Sequence, residues 1–198
     1  MDKVKQIYDG ILEFIQVFLI KYEYENRGIL KKMKIDNRLN MDIDDEKWCK
    51  LFLYKSCLNH CAKLILLRYI EDSGLCYMKM NKNGIEKWKK LVKNISEKFN
   101  ILYDIAIKDL QKDTDNKIRK IFKQSDYDIF EIDDELAAII CHNLSGLDFA
   151  TLSKEDVVSI FKLIYSLEQR EDMRLDKFYK VAPALSYILN LEELEQLL

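Results

Sequence analysis

The feature that most restricts this chain is its shortage of turn residues: 198 residues contain five glycines and one proline, Pro183. Compact β folds need such residues at every reversal, because they reach the backbone angles that tight turns demand. A chain this poor in them favours long helices with few reversals. Its length suits one domain, and 48% apolar residues supply a core without disulfides or metal. The expected fold is all-α, a single bundle of about six to eight helices over residues 1–198. Residues 1–43 read as an N-terminal helix and polar connection, 44–124 as a central helix and basic helical segment, and 125–198 as an acidic helical segment.

Apolar spacing and capping residues place the helices. Val4, Ile7, Ile11, Phe14, Ile15, Phe18 and Tyr22 recur at three- and four-residue intervals, predicting a helix from residue 2 to about 26. Gly28 to Asp42 reads as a polar connection. Asp44 or Asp45 then caps a long helix, since a carboxylate accepts bonds from first-turn amides. That helix is apolar on all sides between Leu51 and Ile70 and stops at Ser73-Gly74, which predicts a central position under several neighbours. A basic helical segment starts near Ile85 and runs through Trp88, Leu91, Val92, Ile95, Phe99 and Leu102 to Leu110. Asp113-Thr114-Asp115-Asn116 caps a short helix, Asp133 or Asp134 the next, and Ser153 with Asp156 forms a capping box. Pro183 opens a last helix expected to reach Leu198.

The net charge of −2 hides a strong asymmetry. Residues 77–123 carry 13 Lys and Arg against six Asp and Glu, whereas 124–198 carry six against 16. The basic residues Lys87, Lys89, Lys90, Lys93, Arg119 and Lys120 are the candidate nucleic-acid contacts. Lysines neutralise phosphates and release counterions, giving salt-dependent, sequence-blind affinity. Two of the alternatives stay open for this charge: solvated helix faces and attraction to the acidic segment. Trp88 falls in register with Leu91, Val92 and Ile95, so it reads as core rather than as a base-stacking platform.

Other chemistry is weaker. Cys57, His60 and Cys61 share a side of the central helix, with Cys49 two turns earlier, but no short Cys-x2-Cys knuckle accompanies them. Adjacent Cys141 and His142 diverge by about 100° on a helix and make a poor nucleophile pair. The acidic run Asp126, Asp128, Glu131, Asp133, Asp134 and Glu135 reads as helix caps and solvated charge rather than as a magnesium site. No glycine-rich phosphate loop occurs. Five cysteines without framework spacing, and no secretory leader, point to reduced thiols in the cytoplasm. No stretch reaches the roughly 18 apolar residues that cross a bilayer, so no membrane partner is expected.

Four segments follow one another in order: Leu64 to Leu75 with Arg68-Tyr69-Ile70-Glu71-Asp72-Ser73-Gly74, then Tyr127-Asp128-Ile129-Phe130, Leu147-Asp148-Phe149, and Lys177-Phe178-Tyr179. Together with Asp156-Val157-Val158-Ser159 and Glu168-Gln169-Arg170-Glu171, this set resembles the helical N-terminal region of adenine-N6 DNA methyltransferases of restriction–modification systems, over roughly residues 45–191. In that family a Phe-Tyr-Thr-Pro motif borders the S-adenosylmethionine site; here Lys180 and Val181 stand in place of Thr-Pro, and Ser159 and Asp176 stand where glycine is usual. The glycine-rich cofactor strand and the Asn-Pro-Pro-Tyr catalytic loop have no counterpart. The resemblance therefore implies a non-enzymatic module with no cofactor, no metal and no catalytic residue. Its implied partner is a protein, a methyltransferase, nuclease or other defence effector, with nucleic acid possible through 77–123. Three versions are compatible with it: an accessory subunit, an inhibitor encoded by a phage or mobile element, or the leading fragment of a full methyltransferase.

Overall fold

Residues 3–25, 27–37, 42–93, 98–166, 175 and 178–189 are described by a computed structural model. They form α-helices α1 (Lys3–Glu25), α2 (Arg27–Asn37), α3 (Asp45–Asp72), α4 (Lys82–Leu91), α5 (Phe99–Gln111), α6 (Asn116–Phe122), α7 (Asp134–Leu144), α8 (Lys154–Ile164) and α9 (Pro183–Leu189). A short 3-10 turn, Asp126–Asp128, lies between α6 and α7. No strand occurs among the described residues, and the expected all-α bundle is the fold.

The axis of the bundle is α3. Asp44 caps it, its carboxylate accepting from the Lys47 amide at 2.8 Å, and Asp45 and Glu46 in the first turn complement the helix dipole. At the far end Ser73 donates to the Tyr69 carbonyl at 2.9 Å. Gly74 then takes φ +74°, a left-handed angle that glycine reaches without strain. Every residue from Leu51 to Glu71 except Tyr54 is buried. The covers are α1, α2, α8, α9 and the 3-10 turn, while α7 packs on α1 and α5, and α6 on α5 and α9. Covering on several sides is the physical reason that the sequence here is apolar all round.

Most predicted helix starts are found, because a cap is a local hydrogen bond that needs no partner element. Asp115, Asp133 and Ser153 accept from Lys117, Leu136 and Asp156 respectively, and Asp156 closes the capping box on Ser153. Each such cap contributes about 1 kcal/mol.

Two expectations are corrected. The polar connection from Gly28 contains α2, an 11-residue helix with Leu30 and Lys34 buried and the Lys34 ammonium paired to Asp45. Contact with α3 stabilises a segment too polar to announce itself by periodicity. The basic segment is not one helix: α4 ends at Leu91, and α5 starts at Phe99 after Lys98 at φ +49°. Ile95, the Glu168 to Glu171 stretch, Asp176, Lys177 and the tail beyond Leu189 lie outside the described residues. No helix among the described residues is long and apolar enough to cross a membrane.

Candidate functional site

Residues 147–149, 127–130 and 178–179 meet α3 at two clips. At the C-terminal end, Arg68 is almost fully buried. Its guanidinium donates to the Leu144 carbonyl at 2.6 Å, the Leu147 carbonyl at 2.9 Å and the Asp72 carboxylate at 2.7 Å, and lies 4.8 Å over the Phe149 ring. Asp72 in turn accepts from the Phe149 amide at 3.0 Å and from the side chain of Asn81, the N-cap of α4, at 3.1 Å. Glu71 accepts from the Lys79 and Met80 amides, each at 2.9 Å. Burial raises the Glu71 carboxyl above its ordinary range, and those two amides oppose the rise. One turn of α3 thus fastens the end of α7, the Leu147–Phe149 turn and the entry to α4. A planar fork with several donors suits three acceptors at once, which a lysine could not match.

At the N-terminal end the clip is aromatic. Trp48 and Phe52 stack at 5.3 Å, Phe52 and Tyr127 at 5.0 Å, and Phe178 packs 5.5 Å from Trp48. Tyr179, held at φ +46°, sets its ring edge-on to Trp48 and Phe52. Tyr127 donates to the Lys180 carbonyl at 2.8 Å, and buried Lys55 donates to the Phe178 carbonyl at 2.9 Å. Phe178 and Tyr179 are therefore core residues at the entry to α9.

The other candidates are engaged in structure. Asp128 accepts from the Ser125 amide at 2.7 Å, which closes the 3-10 turn, and pairs with buried Lys63. Asp126 pairs with Lys180 at 2.8 Å, which holds its carboxyl below the ordinary range. Asp133 caps α7 and bridges to Lys21 of α1. Cys57, Cys61 and Cys141 are buried thiols outside any disulfide, and burial pushes the Cys57 thiol well above its ordinary value. No group of metal-binding side chains occurs among the described residues.

The predicted nucleic-acid contacts divide between two elements. Lys87, Lys89 and Lys90 are exposed in the C-terminal part of α4, and exposed Lys93 follows its end. Lys87 lies 3.4 Å from the Tyr77 hydroxyl, and Lys89 stands 5.6 Å over the Phe99 ring. Arg119 and Lys120 are exposed on α6, which packs on α5 and α9. The Arg119 guanidinium donates to the Asp113 carbonyl at 3.3 Å and to Asn116 at 3.0 Å, so it is occupied within its own turn. Trp88 is half-buried at the edge of the core.

Sequence reasoning missed the apolar component of this surface. Tyr77 and Leu91 are 66% and 76% exposed, and Leu75, Met78, Ile101 and Ile105 are also exposed. Ile101 and Ile105 share a ridge of α5 with Asp109, one residue per turn, and Asp109 is paired at 2.9 Å with Lys79, whose ammonium also lies 5.4 Å over the Tyr77 ring. The available signal was the spacing of Ile101 and Ile105, one turn apart and out of phase with the buried Leu102, Ala106 and Leu110. Compared with known proteins, the chain matches no family model, no curated protein and no solved structure.

Proposed function

We propose that this protein is a non-catalytic interaction module of a restriction–modification, phage-defence or counter-defence system, related to the helical N-terminal region of adenine-N6 DNA methyltransferases. It docks on a separate defence effector, a methyltransferase or nuclease, through the outer surface of α4, α5 and the loop before them. The observation that carries this reading is the exposure of Tyr77, Leu91, Ile101 and Ile105 among Lys79, Lys87, Lys89 and Lys90. Apolar side chains supply the desolvated centre of an interface, and the lysines beside them steer an acidic partner. The acidic residues and thiols that would serve catalysis are instead engaged in caps, ion pairs and packing, which fits a module without turnover.

Affinity capture from the native cell or an infected host, with the wild type beside the Lys87→Glu/Lys89→Glu/Lys90→Glu variant, tests this. The expected result is a methyltransferase or nuclease retained by the wild type and lost with the folded variant. A mobility shift at two salt concentrations separates the nucleic-acid version, whose affinity falls steeply with salt. Methyl transfer, or magnesium-dependent cleavage of DNA, by the purified protein would overturn the reading.

A further inference from the structure

A cleft of about 370 Å³ opens between the end of α1, α2 and the first turns of α3. Its size falls within the range of small-molecule sites. Leu30, Cys49 and Leu53 form an apolar floor, the two leucines buried and the thiol half-buried. Charged side chains line the rest. Two ion pairs are complete within the wall, Lys34 with Asp45 and Lys50 with Glu46, the latter at 2.7 Å. Arg27 and Lys31 are left over. They stand one turn apart on α2, both exposed, and neither has a carboxylate partner among the described residues. The Arg27 guanidinium lies 4.8 Å over the Tyr24 ring, which leaves its N–H edge for an acceptor. One acid outside any pair, Glu23, stands against these two cations.

The joint pattern of charge and apolar surface defines what fits. Burial raises the Cys49 thiol above its ordinary value, and Lys34 and Arg27 oppose the rise, so positive charge bears on the floor itself. A cation is repelled there. A fully hydrophilic anion gains nothing from Leu30 and Leu53, and a purely apolar molecule leaves Arg27 and Lys31 unused. An apolar body with one carboxylate uses both halves of the cleft, because a carboxylate accepts charge-assisted bonds while its chain leaves water. We propose that this cleft binds a small amphipathic carboxylate, its chain on Leu30, Cys49 and Leu53 and its carboxylate on Arg27 and Lys31. This site is independent of the α4–α5 docking surface.

Three probes of one chain length decide it: octanoate, octanol and octylammonium. Calorimetry measures their affinity, and alkylation of Cys49 by neutral iodoacetamide, mapped by mass spectrometry, locates them. Cys76, half-buried beyond the opposite end of α3, is the internal reference. Octanoate is expected to bind saturably at millimolar concentration or below and to slow alkylation of Cys49 alone. Octanol and octylammonium are expected to bind more weakly, by about fivefold or more. Arg27→Gln/Lys31→Gln, which changes only exposed side chains, should weaken octanoate by a similar factor and leave octanol unchanged. Glu23→Gln should tighten octanoate. Octanol or octylammonium that binds as tightly as octanoate overturns the assignment. So does octanoate that protects neither thiol or both alike, or that binds the double variant undiminished.

Discussion

Two sets of basic side chains lie close together in this chain and do opposite things. Lys55, Lys63 and Arg68 of α3 are buried and paired, whereas Lys87, Lys89 and Lys90 of α4 are exposed. A buried cation must find its acceptors inside the protein, so each one holds other segments in place: Lys55 the Phe178 carbonyl, Lys63 Asp128, Arg68 the Leu144 and Leu147 carbonyls. An exposed lysine remains hydrated and contributes almost nothing to folding. Counting charges along the sequence treats the two sets alike; only their surroundings separate architecture from recognition.

The largest effect that would break this comparison lies at Arg68. Arg68→Ala strands the Asp72 carboxylate and two carbonyls, and is expected to lower unfolding free energy by about 3–5 kcal/mol in urea titrations. Arg68→Lys should recover less than half, because a point charge cannot serve three acceptors. Next, Asp128→Asn removes the counter-charge of Lys63 and weakens the Ser125 cap, at a cost of about 2–3 kcal/mol. A paired Lys63→Met/Asp128→Asn variant should regain part of that loss, since the uncompensated buried charge is then gone. If it does not, the pair matters for its shape rather than its charge.

His60 gives a third effect, set by pH. Its imidazole stays neutral in the folded state down to about pH 4, chiefly because burial disfavours the charged form. An unfolded histidine takes up its proton near pH 6.5. This contribution to stability is complete above about pH 6.5 and is lost as pH falls toward 4. His60→Phe should flatten that slope relative to the wild type, by on the order of 2 kcal/mol across the window. Equal slopes in denaturant titrations at pH 7, 5.5 and 4.5 would refute it. The smallest effect belongs to α4: Lys87→Gln/Lys89→Gln/Lys90→Gln should change stability by less than about 0.5 kcal/mol. A larger loss would place those lysines with the buried set.

Helix boundaries were the most legible part of the structure. Asp44, Asp115, Asp133, Ser153 and Gly74 act where their chemistry predicts, because caps depend on neighbours only a few residues away. The misplaced segments have a common cause. α2 is held by Leu30 and Lys34 against α3, and the stripe of Trp88, Leu91 and Val92 suggested a continuous core face that ends in an exposed Leu91. Gly84 adds a related point: a side chain there would overlap the Lys79 backbone, an approach no periodicity reports. The lysines of the candidate surface were named from charge, but their apolar neighbours were not, since Ile101 and Ile105 look like core in sequence.

The sequence alone determined that this chain is helical, where most of its helices begin, and which helix lies at the centre, because those outcomes rest on local bonding and on the scarcity of turn residues. The tertiary structure decided which charges became girders and which remained at the surface. That division depends on whether an acceptor from a distant segment arrives within hydrogen-bonding reach, a matter of packing that no short window of residues contains.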